Sequence, residues 1–190
     1  VRYDADHKEQ TRQRVLKAAA QAIREEGPHQ VAVAEVMAKA GLTVGGFYAH
    51  FKSKDDLVAA AIDQMFGENR KPVREGVTPK EDLVADIDAY LSQDHRDRRD
   101  RGCPLPFLAA DLPRLTDPAK ARFAAGAAQV RSRIARKLTA TGADDPEALA
   151  SSVLSELVGA LSLARAEPDR AASDAILERS KGALKARLGL

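Results

Sequence analysis

Three observations predict an all-α fold. Alanine (36) and leucine (19) dominate, while valine, isoleucine and threonine together number 24. The first two are the best helix formers, whereas β-branched residues favour strands. No sustained apolar–polar alternation with hairpin turns occurs. Gly-Pro, Thr-Pro and Asp-Pro punctuation divides the chain into about nine helical segments. The 190 residues, 44% hydrophobic, suffice to bury a core, and no repeat of roughly 20–50 residues marks a solenoid.

The first helix is expected from about Lys8 to Glu26, with Val15, Ala19, Ala22 and Ile23 on one stripe and Gly27-Pro28 as its stop. A short second helix spans Val33 to Ala40, with Val33, Val36, Met37 and Ala40 inward. Gly41-Leu42-Thr43 is a turn, and a third helix runs from Val44 to about His50. Ser53 caps a fourth, which begins at Lys54, carries Leu57, Ala61, Ile62, Met65 and Phe66, and ends at Lys71-Pro72. Thr78-Pro79-Lys80-Glu81 is a capping box with proline at the first helical position, so a fifth helix starts there. The mixed charge run from Asp94 to Arg101 is expected as a loop or frayed end. A sixth helix covers about Leu105 to Leu112. Asp117-Pro118 and Asp145-Pro146 open the seventh and eighth, and Ser173 opens a ninth that reaches about Leu188.

Composition excludes several classes. Thirty Lys+Arg against 28 Asp+Glu give a net charge of only +2, which alone selects no partner. The excess sits in residues 1–55, with nine basic and seven acidic side chains. A single cysteine, Cys103, rules out a disulfide framework within the chain. Four scattered histidines form no pair at helical spacing, so no metal site is expected. There is no glycine-rich phosphate loop and no Gly-x-Ser-x-Gly elbow, so neither a cofactor nor an enzyme is expected. No apolar stretch approaches the roughly 18 residues needed to span a bilayer. The first residues are polar, with no signal-peptide core. A soluble cytoplasmic protein without a membrane partner is the expectation.

Two short helices joined by Gly41-Leu42-Thr43 and braced by a third are the arithmetic of a helix-turn-helix. Gly41 allows the positive φ of a tight turn. Phe47 and Phe51 stand four apart and can bury together, turning Val44, Gly45, Tyr48 and His50 to other faces. Thr43 is placed to cap the third helix. The run from Val36 to Leu57, and above all Gly45-Gly46-Phe47-Tyr48-Ala49-His50-Phe51-Lys52-Ser53-Lys54-Asp55-Asp56-Leu57, resembles the signature of the TetR/AcrR family of bacterial transcriptional regulators. With the first helix, the resemblance covers roughly residues 9–66. It implies a nucleoid-associated homodimeric repressor that binds double-stranded, palindromic operator DNA and is released by a small effector. Carried over by motif position, Thr43, Tyr48, His50 and Lys54 touch phosphates, and Val44, Gly45 and Gly46 face base edges. Three positions depart from the pattern. Ala32 stands where a capping Ser or Thr is usual, Met37 replaces a small alanine, and Val44 and Gly46 lack hydrogen-bonding side chains. Direct base readout is therefore expected to be sparse.

The resemblance implies a division into residues 1–53, which bind DNA, and 54–190, which bind effector and dimerise. Candidate effector-lining residues are Phe66, Tyr90, Leu91, Phe107, Leu108 and Phe123. The eighth and ninth helices are apolar over much of their circumference, so Leu149, Val153, Leu157, Leu161, Ile176 and Leu184 are expected at a dimer interface. Two alternatives stay open: a DNA-binding dimer acting as activator or adaptor without a small ligand, and a thiol sensor. For the latter, the arginines at 96, 98, 99 and 101 would activate the Cys103 thiol, opposed by Asp97 and Asp100. A buried, inert cysteine is the competing expectation.

Overall fold

The computed structural model describes residues 2–68 and 74–190, and its regular structure there is entirely helical. In chain order the α-helices are α1 (Arg2–Glu26), α2 (Val33–Lys39), α3 (Lys54–Glu68), α4 (Pro79–Tyr90), α5 (Gln93–Asp97), α6 (Leu105–Leu108), α7 (Asp117–Ala140), α8 (Pro146–Ala166) and α9 (Arg170–Leu188). Short 3₁₀ turns cover Val44–Ala49, Arg99–Arg101 and Leu112–Arg114.

The chain forms two compact units: residues 1–70 with 107–126, and 71–106 with 127–190. The first therefore extends well past residue 53. In it α3 packs along α1. Val15, Ala19, Ile23, Val36, Met37, Leu57, Ile62 and Met65 are buried. Arg24 of α1, 3% exposed at its side chain, donates to Glu68 at the end of α3 over 2.8 Å. In the second unit α8 and α9 pack together, with α4 against both. Leu83, Ile87, Leu91, Leu138, Val153, Leu157, Leu161, Leu177 and Leu184 fill its core.

Several expected boundaries move, each for a local reason. The segment from Val44 to Ala49 is a 3₁₀ turn and not an α-helix. Six residues with two glycines are too short and too poor in helix propensity to propagate an α-helix. The charge run expected as a loop contains α5, because the Ser92 hydroxyl accepts from His95 N–H over 3.1 Å and caps it. Helix α6 stops at Leu108, and a 3₁₀ turn containing Pro113 follows. Helix α9 opens at Arg170, since Asp169, not Ser173, is the cap. Ser173 is buried instead and donates to the Ala164 carbonyl over 2.6 Å. The expected stop at Lys71-Pro72 lies outside the described residues. The capping box at Thr78 and Glu81 forms as expected, with both reciprocal bonds present.

One expectation needs a narrower statement. Helix α8 is long and apolar enough to cross a membrane, with a mean hydropathy of 1.3 over an 18-residue window. Serines and Glu156 interrupt its apolar runs, which hid it from a search for an unbroken stretch. Val153, Leu157 and Leu161 are spent on the core of the second unit, while Glu156 pairs with Arg187 of α9 over 2.8 Å.

Removing Glu68 leaves a buried guanidinium without its carboxylate. Glu68→Ala is expected to lower unfolding free energy by about 3 kcal/mol, measured by urea denaturation. A change under about 1 kcal/mol, the range of an exposed pair, would contradict this.

Candidate nucleic-acid interface

The turn after α2 is made by Gly41 at φ +73°. Thr43 follows in extended conformation at the cap position of the 3₁₀ turn, but its side chain makes no cap hydrogen bond. The expected cap is absent, which leaves the hydroxyl of this exposed residue unspent on the backbone. Phe47 and Phe51, each 2% exposed, stack at 5.7 Å between ring centroids. Arg12 of α1 lies over the Phe51 ring at 5.0 Å, a cation–π contact that fastens the segment to α1. Anchoring those two rings leaves neighbouring side chains facing out. Tyr48 is 77% exposed and Val44 50%, and Gly45 is exposed beside them. The Tyr48 ring rests edge-on against Phe47, with centroids 5.2 Å apart. Met37 fits without parting the helices: it is fully buried, and a Cβ on Gly46 would stand 3.8 Å from its Cε.

His50 ends the segment. Its Nδ1 is buried without a hydrogen-bond partner. Burial holds its pKa below the ordinary value of 6.5, and Lys8 and Arg12 push it further down against a smaller opposing pull from Glu9. Neither Lys8 nor Arg12 is ion-paired among the described residues. The sequence reading missed both, although their four-residue spacing already placed them on one face of the first helix. Lys54, expected at a phosphate, donates its Nζ to the His29 carbonyl over 2.8 Å. Ser53 Oγ accepts from Asp56 N–H over 3.1 Å and secures the start of α3.

The candidate effector residues divide between the units. Phe66, Phe107, Leu108 and Phe123 belong to the first, and Tyr90 and Leu91 to the second. Phe66 and Phe123 meet edge to face at 5.9 Å. Their contact needs Gly126, because a Cβ there would fall 2.2 Å from Phe66 Cδ2. Leu91 and Leu108 are fully buried. The expected dimer residues need correction. Val153, Leu157, Leu161 and Leu184 are 5% exposed or less within a single chain and belong to its core. Leu149 and Ile176 are partly buried against that core. The apolar stripe of α8 thus faces its own chain.

Cys103 is 6% exposed. Burial pushes its thiol above the ordinary value, outweighing the Tyr90 hydroxyl and the Leu105 backbone beside it and the charges of Arg165 and Arg133, all of which pull it down. The preceding arginine run does not supply the activation that the thiol-sensor alternative needs. Arg96 is spent on Asp97, Asp174 and Ser173.

Residues 15–61 match the family described as bacterial regulatory proteins, tetR family. The HTH-type transcriptional regulator MT0206 of Mycobacterium tuberculosis is 30% identical over 189 residues, covering 93% of this chain and 95% of that protein. The chain belongs to the TetR family. Other curated regulators that it matches are covered over only 32% to 42% of their own length. Among solved structures, Escherichia coli NemR in its reduced form superposes with a TM-score of 0.80 at 19% identity, covering 93% of this chain and 95% of that one. A TetR transcriptional regulator from Chloroflexus aurantiacus gives 0.80 at 24% identity, covering 97% and 96%. These two show the fold. The chain is accordingly a DNA-binding transcriptional regulator of that family.

The crowding of His50 by two cations is checked by NMR titration. Its ring is expected to titrate below 6.5, and Lys8→Ala should move the midpoint upward. A midpoint at or above 6.5 that does not respond to Lys8→Ala would show that the charges of α1 do not reach it.

Proposed function

We propose that this TetR-family regulator is a dimeric repressor that grips operator DNA mainly through phosphates and leaves it when a small effector binds. The carrying observation is the composition of the exposed reading segment. Between Thr43 and Tyr48 it offers one hydroxyl, one valine, two glycines and one phenol to solvent. Val44 supports a thymine-methyl contact, and the glycines let backbone approach the groove, but neither reads a donor–acceptor pattern. Thr43, Tyr48 and His50 are the phosphate contacts of this proposal, joined by Lys8 and Arg12. Lys54 serves them by fixing the His29 loop, and can exchange its carbonyl partner for a phosphate. Residues 1–53 carry the DNA contacts, and the remainder carries the effector and the dimer.

A two-fold pair of reading heads requires an interface on the second unit. With the α8 stripe committed to the core, the outward face carries this role: Ser152, Ser155, Gly159 and Leu163 of α8, with Gly182, Ala183 and Ala186 of α9. Leu163 is 63% exposed, and no atom comes within 4 Å of a Cβ built on Gly159 or Gly182. Small side chains let a second copy approach closely. Effector binding is transmitted through α7, which belongs to both units. Its first part meets α3 through Phe123 against Phe66 and Arg122 against Asp63, and α3 begins at Lys54. A coupling of about 1–3 kcal/mol suffices to change operator affinity 5- to 150-fold. A cytoplasmic location follows from a DNA target.

Two measurements test these assignments. Gly159→Arg should leave the chain folded but monomeric by sedimentation, with operator binding lost. A folded dimer would exclude this face. Lys8→Ala should weaken binding about equally for good and poor sites and lower the slope of log K against log salt by about one. A changed base preference with an unchanged slope would remove Lys8 from the phosphate contacts.

A further inference from the structure

Within the second unit, four side chains converge on a polar spot inside an otherwise apolar core. The Tyr90 hydroxyl is buried and makes no hydrogen bond of regular geometry; beside it lies the Cys103 thiol, a weak partner. The Tyr90 ring stands edge-on to His95 at 4.8 Å. Cys103 N–H donates to His95 Nε2 over 3.0 Å, so His95 is neutral and donates from Nδ1 to the Tyr90 carbonyl at 2.8 Å. Arg165 of α8 closes the group. Its Nη2 donates to the His95 carbonyl over 2.7 Å and its Nε to the Arg96 carbonyl over 3.2 Å. Gly102 makes room for it, since a Cβ there would lie 2.9 Å from Arg165 Nη2.

The charge count of this spot is unbalanced. Arg165 is half-buried, yet among the described residues no carboxylate pairs with it. Arg99 and Arg133, which add positive potential to Arg165 and Cys103 respectively, have no carboxylate partner there either. Elsewhere the same unit matches its cations carefully. Arg96 holds Asp97 and Asp174, and Lys137 holds Asp82 and Asp86. A buried phenol with only a thiol beside it is poorly satisfied, and a desolvated guanidinium without an anion is unfavourable. Both deficits are removed by one guest that brings a negative charge and accepts hydrogen bonds.

We propose that Arg165 and Tyr90 bind the carboxylate of a small organic acid, the effector's head group. This rests on the effector-release function proposed above and names its ligand class. One guanidinium edge and one phenol donor match the two oxygens and single charge of a carboxylate. A phosphate would bring a further oxygen and further charge with no buried donor to meet them. Cys103 and the neutral His95 line the spot without charge. Tyr90 packs against the core that contains Ile87, Leu91 and Leu161, so the surroundings of the head group are apolar.

The test is a thermal-shift and calorimetric titration of the full chain with straight-chain carboxylates from acetate to decanoate. The matching alcohols and inorganic phosphate serve as separate arms. A carboxylate should raise the melting temperature and bind, while its alcohol and phosphate should not. Tyr90→Phe should fold with an undiminished melting temperature, because it removes a poorly satisfied hydroxyl, and should bind the acid about tenfold more weakly. Arg165→Gln should abolish the shift. No binding in the series, equal binding of the alcohol, or retained affinity in Tyr90→Phe would each overturn the proposal. Binding of the carboxylate without release of operator DNA would leave this site standing and sink the effector-release function. Release by a neutral ligand that is unaffected by Tyr90→Phe would do the reverse.

Discussion

The segment that follows α2 depends on the burial of Phe47 and Phe51. A six-residue 3₁₀ turn with adjacent glycines has almost no stability of its own. It holds its shape because two stacked rings are removed from water and one of them lies under Arg12. The same burial determines what the segment presents. With residues 47 and 51 inward, Tyr48, Val44 and Gly45 have nowhere to point but outward. The surface proposed to meet DNA is thus set by core packing. Its glycines keep it low, which suits the backbone and phosphate contacts proposed above.

The second unit shows a different economy. Its ion pairs are dense and reciprocal, as around Asp97, where Arg96 and Arg170 hold the carboxyl far below the usual carboxylate range. The stability from such an acid is complete above its unfolded value near 4 and is lost as pH falls towards the folded one. Against that background, a guanidinium without a carboxylate and a phenol with only a thiol beside it are the observations behind the proposed acid site. Burial keeps the cysteine itself protonated, so it contributes shape and not charge.

Much of this was legible in the sequence. The all-α fold, the starts of α2, α3, α4, α7 and α8, and the pairing of Phe47 with Phe51 follow from spacing, caps and prolines, which are local signals. What was not legible depends on which face of a helix its own chain consumes. Val153, Leu157 and Leu161 form an apolar stripe whether they face a core or a partner, and periodicity cannot distinguish the two. Likewise the arginine run before Cys103 looked like the thiol's environment. Arg165, 62 positions away in the chain, lies nearer to the chemistry. Lys8 and Arg12 escaped notice because exposed basic residues on a first helix carry no motif. Their meaning appears only when His50 is seen beside them.

The central claim is that this protein holds its operator by the backbone and reads few bases directly. A base-by-base substitution scan of an operator selected from genomic DNA tests it most directly. Half-site centres are expected about one helical turn, roughly 34–36 Å, or somewhat more apart. Substitutions facing Val44 to Gly46 should each cost under about 1 kcal/mol, apart from loss of a thymine methyl opposite Val44. Uniform costs of about 1–3 kcal/mol at those positions, the range of direct hydrogen-bonded readout, would contradict it.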